Sequence, residues 1–93
     1  MKLADAALLR QQVLIAGHWQ DAADGARITV RNPASDALVG HVPHCTEDDI
    51  AGAVEAAHAA FAGWRTLPAK ARAEFLRRWF DLILQHRDDL AVI

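Results

Sequence analysis

The strongest structural signal in this sequence is a helix start at Thr46. Thr46 is followed by two acidic residues and then by Asp49. This is the arrangement of a capping box, in which the side chain at each end accepts the backbone N–H of the other end. Acidic side chains in a first turn are also stabilised by the positive end of the helix dipole. We therefore predict that a helix begins here and divides the chain into residues 1–45 and residues 46–93.

The second part, residues 46–93, carries apolar side chains at the spacing of two amphipathic helices. In the first helix they recur every three or four positions, which places them on one face: Ile50, Val54, Ala57, Phe61 and Trp64. In the second helix the predicted buried side holds Leu76, Trp79, Phe80, Ile83 and Leu90. Pro68 suits the first turn of this helix, so only about three residues connect the two helices. We predict an antiparallel pair of helices that contact each other through these faces.

The first part, residues 1–45, has the pattern of a short helix followed by strands and turns. Asp5 is a suitable cap for a helix over residues 5–12. Short β-prone or alternating segments predict strands at residues 13–15, 18–20, 28–31 and 38–42. The turn residues between them are Gly17, Asp24-Gly25 and the segment 32–36, and Pro43 limits the last strand to an edge or an end. The predicted fold class is α/β: a short N-terminal helix, antiparallel strands that include a β-hairpin, and then the antiparallel pair of helices.

Composition excludes several classes of partner. The net charge is −2, from 10 basic and 12 acidic residues, which gives no electrostatic basis for binding nucleic acid or an anionic membrane surface. No apolar run approaches the roughly 20 residues of a membrane span. The single cysteine fits a reducing compartment, and the N-terminus lacks the features of a secretory signal. We expect a cytoplasmic protein with neither a nucleic-acid nor a membrane partner.

No group of side chains in the sequence forms a catalytic, cofactor-binding or metal-binding pattern. His41, His44 and Cys45 are the only clustered metal-ligand types, but a closed zinc site takes four ligands and strand alternation points these three apart. Cys45 lacks the electropositive surroundings of a reactive thiolate, so we interpret it as a packing residue. The five glycines form neither a dinucleotide fingerprint nor a phosphate loop. We assign no catalytic, cofactor-binding or metal residue within the chain.

Two further features have structural interpretations. Trp19, beside His18 on a short hairpin, is predicted to be a core anchor. The second helix has a basic side, which Glu74 and Asp81 balance, so it reads as a solvated face rather than a phosphate site: Lys70, Arg72, Arg77 and Arg78. On that face we expect Glu74 and Arg78, four positions apart, to form a surface ion pair.

The end of the chain carries no helix stop signal. Residues 88–93 contain no Gly, Asn or Pro, and Asp88 and Asp89 would oppose the dipole at a helix C-terminus. We expect the helix to continue and the chain to be a fragment of a longer protein.

The order of the motifs resembles the N-terminal segment of the NAD(P)-dependent aldehyde dehydrogenase superfamily. The segments that carry the resemblance are Val13–Trp19, Val30–Ala34, Val39–Pro43, Ala53–Ala57, Phe61–Arg65 and Asp88–Ala91. Within the superfamily, Leu9–Gln12 and Leu76–Leu82 are most similar to the succinate-semialdehyde dehydrogenases. Two positions depart from the pattern: Ala16 stands where the family usually has Asn, and Asp36 where a glycine usually closes the turn.

The resemblance implies an enzyme of which this chain is only a part. Residues 1–93 would lead into a Rossmann-like coenzyme domain, followed by a catalytic domain and an oligomerisation arm in a homo-oligomer. The full-length protein would bind NAD or NADP and oxidise a small aldehyde through a cysteine nucleophile and a glutamate, both beyond Ile93; Cys45 does not match the nucleophile. The alternative from a different class is a complete small α+β module for interaction or dimerisation, with Leu90, Val92 and Ile93 on its contact surface.

Overall fold

The computed structural model describes residues 1–93 and confirms the α/β class, with antiparallel strand pairs followed by helices. A 3₁₀ turn at Ala6–Leu8 precedes four strands, β1 (Val13–Ile15), β2 (His18–Gln20), β3 (Arg27–Arg31) and β4 (Leu38–Pro43). Three helices follow: α1 (Glu47–Trp64), α2 (Ala69–Gln85) and α3 (Arg87–Val92). The chain forms two compact units, one of Arg10–Ala59 and one of Met1–Leu9 with Ala60–Ile93.

The β1–β2 hairpin turns through two residues with positive φ. Ile15 pairs with His18, so Ala16 and Gly17 form the loop, with φ angles of 52° and 79°. Positive φ at both loop positions is the geometry of the type I′ turn, whose twist matches that of the flanking strands. The predicted stop at Gly17 is confirmed, and Ala16 adopts a backbone conformation that alanine disfavours.

The β3–β4 hairpin is the longer of the two and ends as predicted at Pro43, which pairs with Arg27. Its register shifts between Val30 and Arg31, at the entry to the turn. The side-chain Oδ1 of Asn32 accepts the N–H groups of Ala34 and Ser35 at 2.8 and 3.3 Å, as Asx turns do. Asp36 closes the turn with a φ of 59°, a region where aspartate is more tolerated than most residues. The second departure from the family pattern is thus also a left-handed residue.

The helix start at Thr46 is confirmed. The hydroxyl Oγ1 of Thr46 accepts the N–H of Asp49 at 3.1 Å, and the Asp49 carboxylate accepts the N–H of Thr46 at 2.9 Å. Both halves of the capping box are therefore formed.

The predicted helix over residues 5–12 is wrong in length, because only the 3₁₀ turn Ala6–Leu8 forms. Asp5 does cap it, since its Oδ1 accepts the N–H of Ala7 at 3.0 Å. The chain is extended at Leu9, and Gln11 then makes hydrogen bonds to β3 and β4 that a helical backbone here would not allow. Long-range bonds outweigh local helix propensity at this point.

The single second helix of the prediction is two helices in the structure. His86 has φ −107° and ψ 14°, so it ends α2 and precedes α3. Asp88 and Asp89 consequently lie in the first turn of α3, where the dipole favours acids that a C-terminus would disfavour. Pro68 was predicted in the first turn of α2, but it is the cap residue, directly before the helix begins at Ala69.

The predicted buried faces of the two long helices are exposed in this chain, and that part of the expectation is wrong. Val54 and Trp79 each expose 63% of their surface, and Ala22 is the one residue that is fully buried. Contact between α1 and α2 occurs beside their connection, where the Trp64 and Phe75 rings lie 5.7 Å apart. An amphipathic pattern specifies a face that avoids water, but not which surface covers it.

Candidate functional site

The clustered metal-ligand types do not converge on a site. His41 lies on β4 with its Nδ1 atom 3.3 Å from Thr29 Oγ1 on the neighbouring strand, and Cys45 is a half-buried free thiol. No three His, Cys, Asp or Glu side chains lie together in an arrangement that could hold a metal ion. The absence of catalytic, cofactor and metal ligands from residues 1–93 stays a prediction.

The larger features of the unit Arg10–Ala59 are an apolar hollow and an aspartate, Asp49, that joins two segments. The hollow has a volume of about 290 Å³ and is lined by Val13, Ile15, Cys45, Asp49, Ile50, Ala53, Val54 and Ala57. Its lining is almost wholly apolar, so it offers contact area rather than chemistry.

Asp49 is a structural carboxylate. Besides the N–H of Thr46 it accepts the N–H of Ala23 at 3.1 Å, which joins the turn before β3 to the start of α1. The N–H of Thr46, and then that of Ala23, lowers the pKa of Asp49 below its ordinary value, because both bonds favour the charged form. Asp49 is therefore ionised at neutral pH and is committed to main-chain donors. The capping box was visible in the sequence, but the bond to Ala23 was not.

Gln11 is a second organising residue, and sequence reasoning missed it. Its Oε1 atom accepts the N–H of His41 at 2.8 Å, and its main-chain carbonyl accepts a hydrogen bond from Nη2 of Arg27 at 2.9 Å. The close approach requires a glycine at position 40, because a Cβ there would lie 2.8 Å from the same Oε1. No local pattern marks a glutamine for such a role.

Trp19 is not the core anchor that the sequence suggested. It is 42% exposed, and the guanidinium carbon of Arg10 lies 4.9 Å from its ring centroid. A cation over an exposed indole ring contributes about 0.5–1 kcal/mol. The segment around Arg10 and Gln11, one of those that carried the family resemblance, is thus attached to both hairpins.

The second unit, Met1–Leu9 with Ala60–Ile93, has a hollow of its own. It measures about 300 Å³ and is lined by Leu8, Trp79, Leu82, Ile83, His86 and Leu90. Asp89 lies on α3 and binds the N-terminal residues, because its Oδ1 accepts the N–H of Ala4 at 2.8 Å and its Oδ2 that of Asp5 at 2.9 Å. No sequence motif indicates this contact.

Two residues of the basic side of α2, Arg77 and Arg78, contact other residues of the same helix. The ion pair is Arg77 with Asp81 at 3.6 Å, both well exposed, rather than the predicted Glu74 with Arg78. Arg78 instead lies 4.9 Å from the centroid of Phe75. Exposed pairs of this kind contribute little, about 0–1 kcal/mol.

The comparisons with known proteins assign the class. The profile of the aldehyde dehydrogenase family matches residues 19–93. The chain belongs to the aldehyde dehydrogenase family. It is 50% identical over 91 residues to an NADP⁺-linked succinate-semialdehyde dehydrogenase of Escherichia coli (strain K12), and 48% identical to a glutarate-semialdehyde dehydrogenase of Pseudomonas aeruginosa. Each alignment covers 98% of this chain and 19% of the relative, so the chain spans about a fifth of the length of these enzymes.

Solved structures give the same result for the fold. The chain superposes with a TM-score of 0.95 on an aldehyde dehydrogenase from Brucella melitensis biovar abortus 2308, at 45% identity, covering 98% of this chain and 19% of that one. A succinate-semialdehyde dehydrogenase from Burkholderia pseudomallei gives a TM-score of 0.94 at 47% identity, with 99% and 19% covered. No helix of the chain combines the length and the apolar content that a bilayer crossing requires.

The start of α1 does not fit the pyrophosphate of a dinucleotide. A pyrophosphate binds where helix N–H groups are free and the local charge is positive. At the start of α1 the capping box uses these donors, and Glu47 and Asp48 add negative charge. No catalytic step is therefore assigned through a cofactor at this helix start.

Proposed function

We propose that residues 1–93 are the N-terminal segment of the coenzyme-binding domain of an NAD(P)-dependent aldehyde dehydrogenase. The observation that carries the proposal is 50% identity to a succinate-semialdehyde dehydrogenase across 98% of the chain. Within the segment, residues 1–45 supply the turn and the strands, and residues 46–93 supply the helices. The alternative of a complete interaction module lacks an observation of equal weight, since exposed Leu90, Val92 and Ile93 fit either reading.

The proposed reaction is the oxidation of succinate semialdehyde. Aldehyde, water and NAD(P)⁺ give the carboxylic acid and NAD(P)H, with the nucleophile, the base and the cofactor site in the remainder of the polypeptide. The names of the relatives support a substrate that carries a carboxylate at the far end from the aldehyde, because they include succinate and glutarate semialdehyde. We place the enzyme in the cytoplasm as a homo-oligomer.

The exposed apolar faces support a segment that is covered by more protein. Val54 on α1 and Trp79 on α2 are each 63% exposed, and burying one such side chain yields about 1.5–3 kcal/mol. A family relationship that extends over only 19% of the relatives' length leaves most of such an enzyme outside these residues, and that remainder is the covering surface in this proposal.

The test is an aldehyde series assayed with the full-length polypeptide that carries these residues. We expect NAD(P)H formation with a higher kcat/KM for succinate semialdehyde than for uncharged aldehydes of equal length, because an unfilled polar anchor is costly. Glutarate semialdehyde, one methylene longer, should differ by about 10–200-fold at most. NAD and NADP are assayed separately.

Two outcomes would revise the proposal. Equal or better turnover of a neutral aldehyde would remove the semialdehyde assignment and keep the family. No turnover of any aldehyde by a folded full-length protein would remove the dehydrogenase activity itself.

A further inference from the structure

The hydrogen bonds that join the N-terminal residues to α3 are accepted by one side chain, that of Asp89. The two carboxylate oxygens of Asp89 each accept one main-chain N–H, from Ala4 at 2.8 Å and from Asp5 at 2.9 Å. The partners are 85 and 84 positions apart in sequence. Hydrogen bonds to an ionised acceptor are shorter and stronger than those between neutral groups.

Apart from this carboxylate, the segment Met1–Leu9 has few attachments. Its side chains are exposed except for Leu3, Leu8 and Leu9, which are half-buried. The 3₁₀ turn within it is closed by main-chain bonds of 3.2 and 3.3 Å and by the bond from the N–H of Ala7 to Asp5. The segment therefore has internal structure that does not depend on α3. Segments with few buried contacts open locally at a free energy well below that of global unfolding.

Leu8, near the end of the same segment, forms one wall of the hollow of about 300 Å³. The other walls belong to α2 and α3 or to the residue between them: Trp79, Leu82, Ile83, His86 and Leu90. If Leu8 moved away, the hollow would lose this wall, while the other five residues would keep their places on the helices.

We propose that Met1–Leu9 is a strap that lies along one side of the hollow of α2 and α3, and that the Asp89 carboxylate is its latch. When the two main-chain bonds break, the strap moves as one body, with its 3₁₀ turn intact, and Leu8 leaves the wall of the hollow. The direction of the Asp89 pKa agrees with this assignment: the N–H of Ala4, and then that of Asp5, lowers it below its ordinary value. The strap rests on contacts among residues 1–93 alone and does not depend on the substrate proposed above.

Amide hydrogen exchange in the full-length polypeptide tests the latch. In Asp89→Ala the N–H groups of Ala4 and Asp5 should exchange about tenfold faster or more, as expected for the loss of hydrogen bonds to a charged acceptor. The N–H of Ala7 should keep its rate, because its acceptor moves with the strap. The matched control is Asp88→Ala, since Asp88 is the neighbouring acid in the same turn and contacts only Arg87, at 3.3 Å.

Two more variants test whether the strap moves as a unit. Asp89→Asn keeps one carbonyl acceptor, so one of the two N–H groups should remain slow while the other becomes fast. Leu8→Ala should also accelerate Ala4 and Asp5, by a smaller factor, because Leu8 is the second attachment of the same body. Unchanged exchange of the β3–β4 amides in every variant verifies that the fold is retained.

Three results would overturn the latch. They are rapid exchange of Ala4 and Asp5 in the unmodified protein, unchanged exchange in Asp89→Ala, or equal acceleration in Asp88→Ala. Unchanged exchange of both amides in Leu8→Ala would show that the contact of Leu8 with the hollow does not hold the strap. Aldehyde oxidation is not a readout in any of these measurements, so failure here and failure of the proposed function are distinguishable.

Discussion

Ala16 is the position where a single substitution should strengthen the local fold. It has a φ of 52° in the two-residue turn between β1 and β2, and Gly17 follows with 79°. In this region the Cβ of an L-residue crowds the adjacent carbonyl oxygen, at a cost of about 1–2 kcal/mol. Asparagine is more tolerated there because its short side chain bonds locally, and Asn-Gly is the preferred pair of the type I′ turn.

The expected gain follows from this cost. If asparagine recovers about half of it, Ala16→Asn stabilises the hairpin by up to about 1 kcal/mol, which is roughly a fivefold change in an opening equilibrium. Ala16→Gly should gain less, because glycine removes the crowding but adds freedom to the unfolded chain.

The assay is amide exchange of the β1 and β2 N–H groups that bond across the hairpin, in the full-length polypeptide. They should exchange about fivefold more slowly in Ala16→Asn if exchange proceeds through hairpin opening. Ala34→Asn is the matched control, because Ala34 also lies in an exposed turn but without positive φ; a surface change of that kind is worth within about 0.5 kcal/mol. Equal or faster exchange in Ala16→Asn, or equal slowing in the control, would refute the argument from the backbone angle.

Two further predictions concern the pH dependence of stability and the behaviour of the isolated chain. The pKa of Asp49 lies below its ordinary value of 3.8, mainly because its carboxylate accepts the N–H of Thr46 and then because it accepts that of Ala23. The contribution of the ionised Asp49 to stability is therefore complete above the pKa of the unfolded state, and it is lost as the pH falls through the pKa of the folded state. The free energy of unfolding, measured with urea between about pH 6 and pH 2, should fall as the solution becomes more acidic. This pH dependence should be weaker in Asp49→Asn than in the control Asp48→Asn. Equal pH dependence in the two variants would contradict the assignment. The isolated 93-residue chain should bind apolar dyes and self-associate, because its long helices expose large apolar side chains. If sedimentation shows a monomer that binds no dye, and calorimetry shows cooperative unfolding, the apolar faces do not need to be covered by more protein.

Features set by neighbouring residues could be predicted from the sequence. The capping box at Thr46, the turns at Gly17 and Gly25 and the strand end at Pro43 are confirmed. Each feature depends on one residue and on the backbone within four positions of it, because helix caps, the φ angles of glycine and the restraints of proline all act over this short range. The resemblance to the aldehyde dehydrogenases, which rested on such motifs in order, is confirmed for the same reason.

Features set by distant partners could not be predicted. Asp88 and Asp89 were interpreted as part of one continuing helix, whereas the break at His86 places them at a helix start and Asp89 binds residues that lie 84 and 85 positions away. Gln11 draws its segment out of the predicted helix through bonds to β3 and β4. Neither contact has a local signature, because each bond has a main-chain N–H or C=O group on one side, and every residue carries such groups apart from the missing N–H of proline. The apolar stripes identified one face of each long helix, but these faces are exposed in residues 1–93, and no periodicity names a surface that would cover them.

The contact between Gln11 and Gly40 predicts a pattern of joint variation among related sequences. Oε1 of Gln11 fills the space where a Cβ at position 40 would lie, 2.8 Å away, and it binds the next N–H along β4. A lineage that acquires a side chain at position 40 must therefore shorten or redirect the residue at position 11. A lineage that loses the glutamine leaves the N–H of His41 without this acceptor, and removes the steric reason for a glycine. The two positions, 29 apart in the chain, should change together although neither touches a substrate.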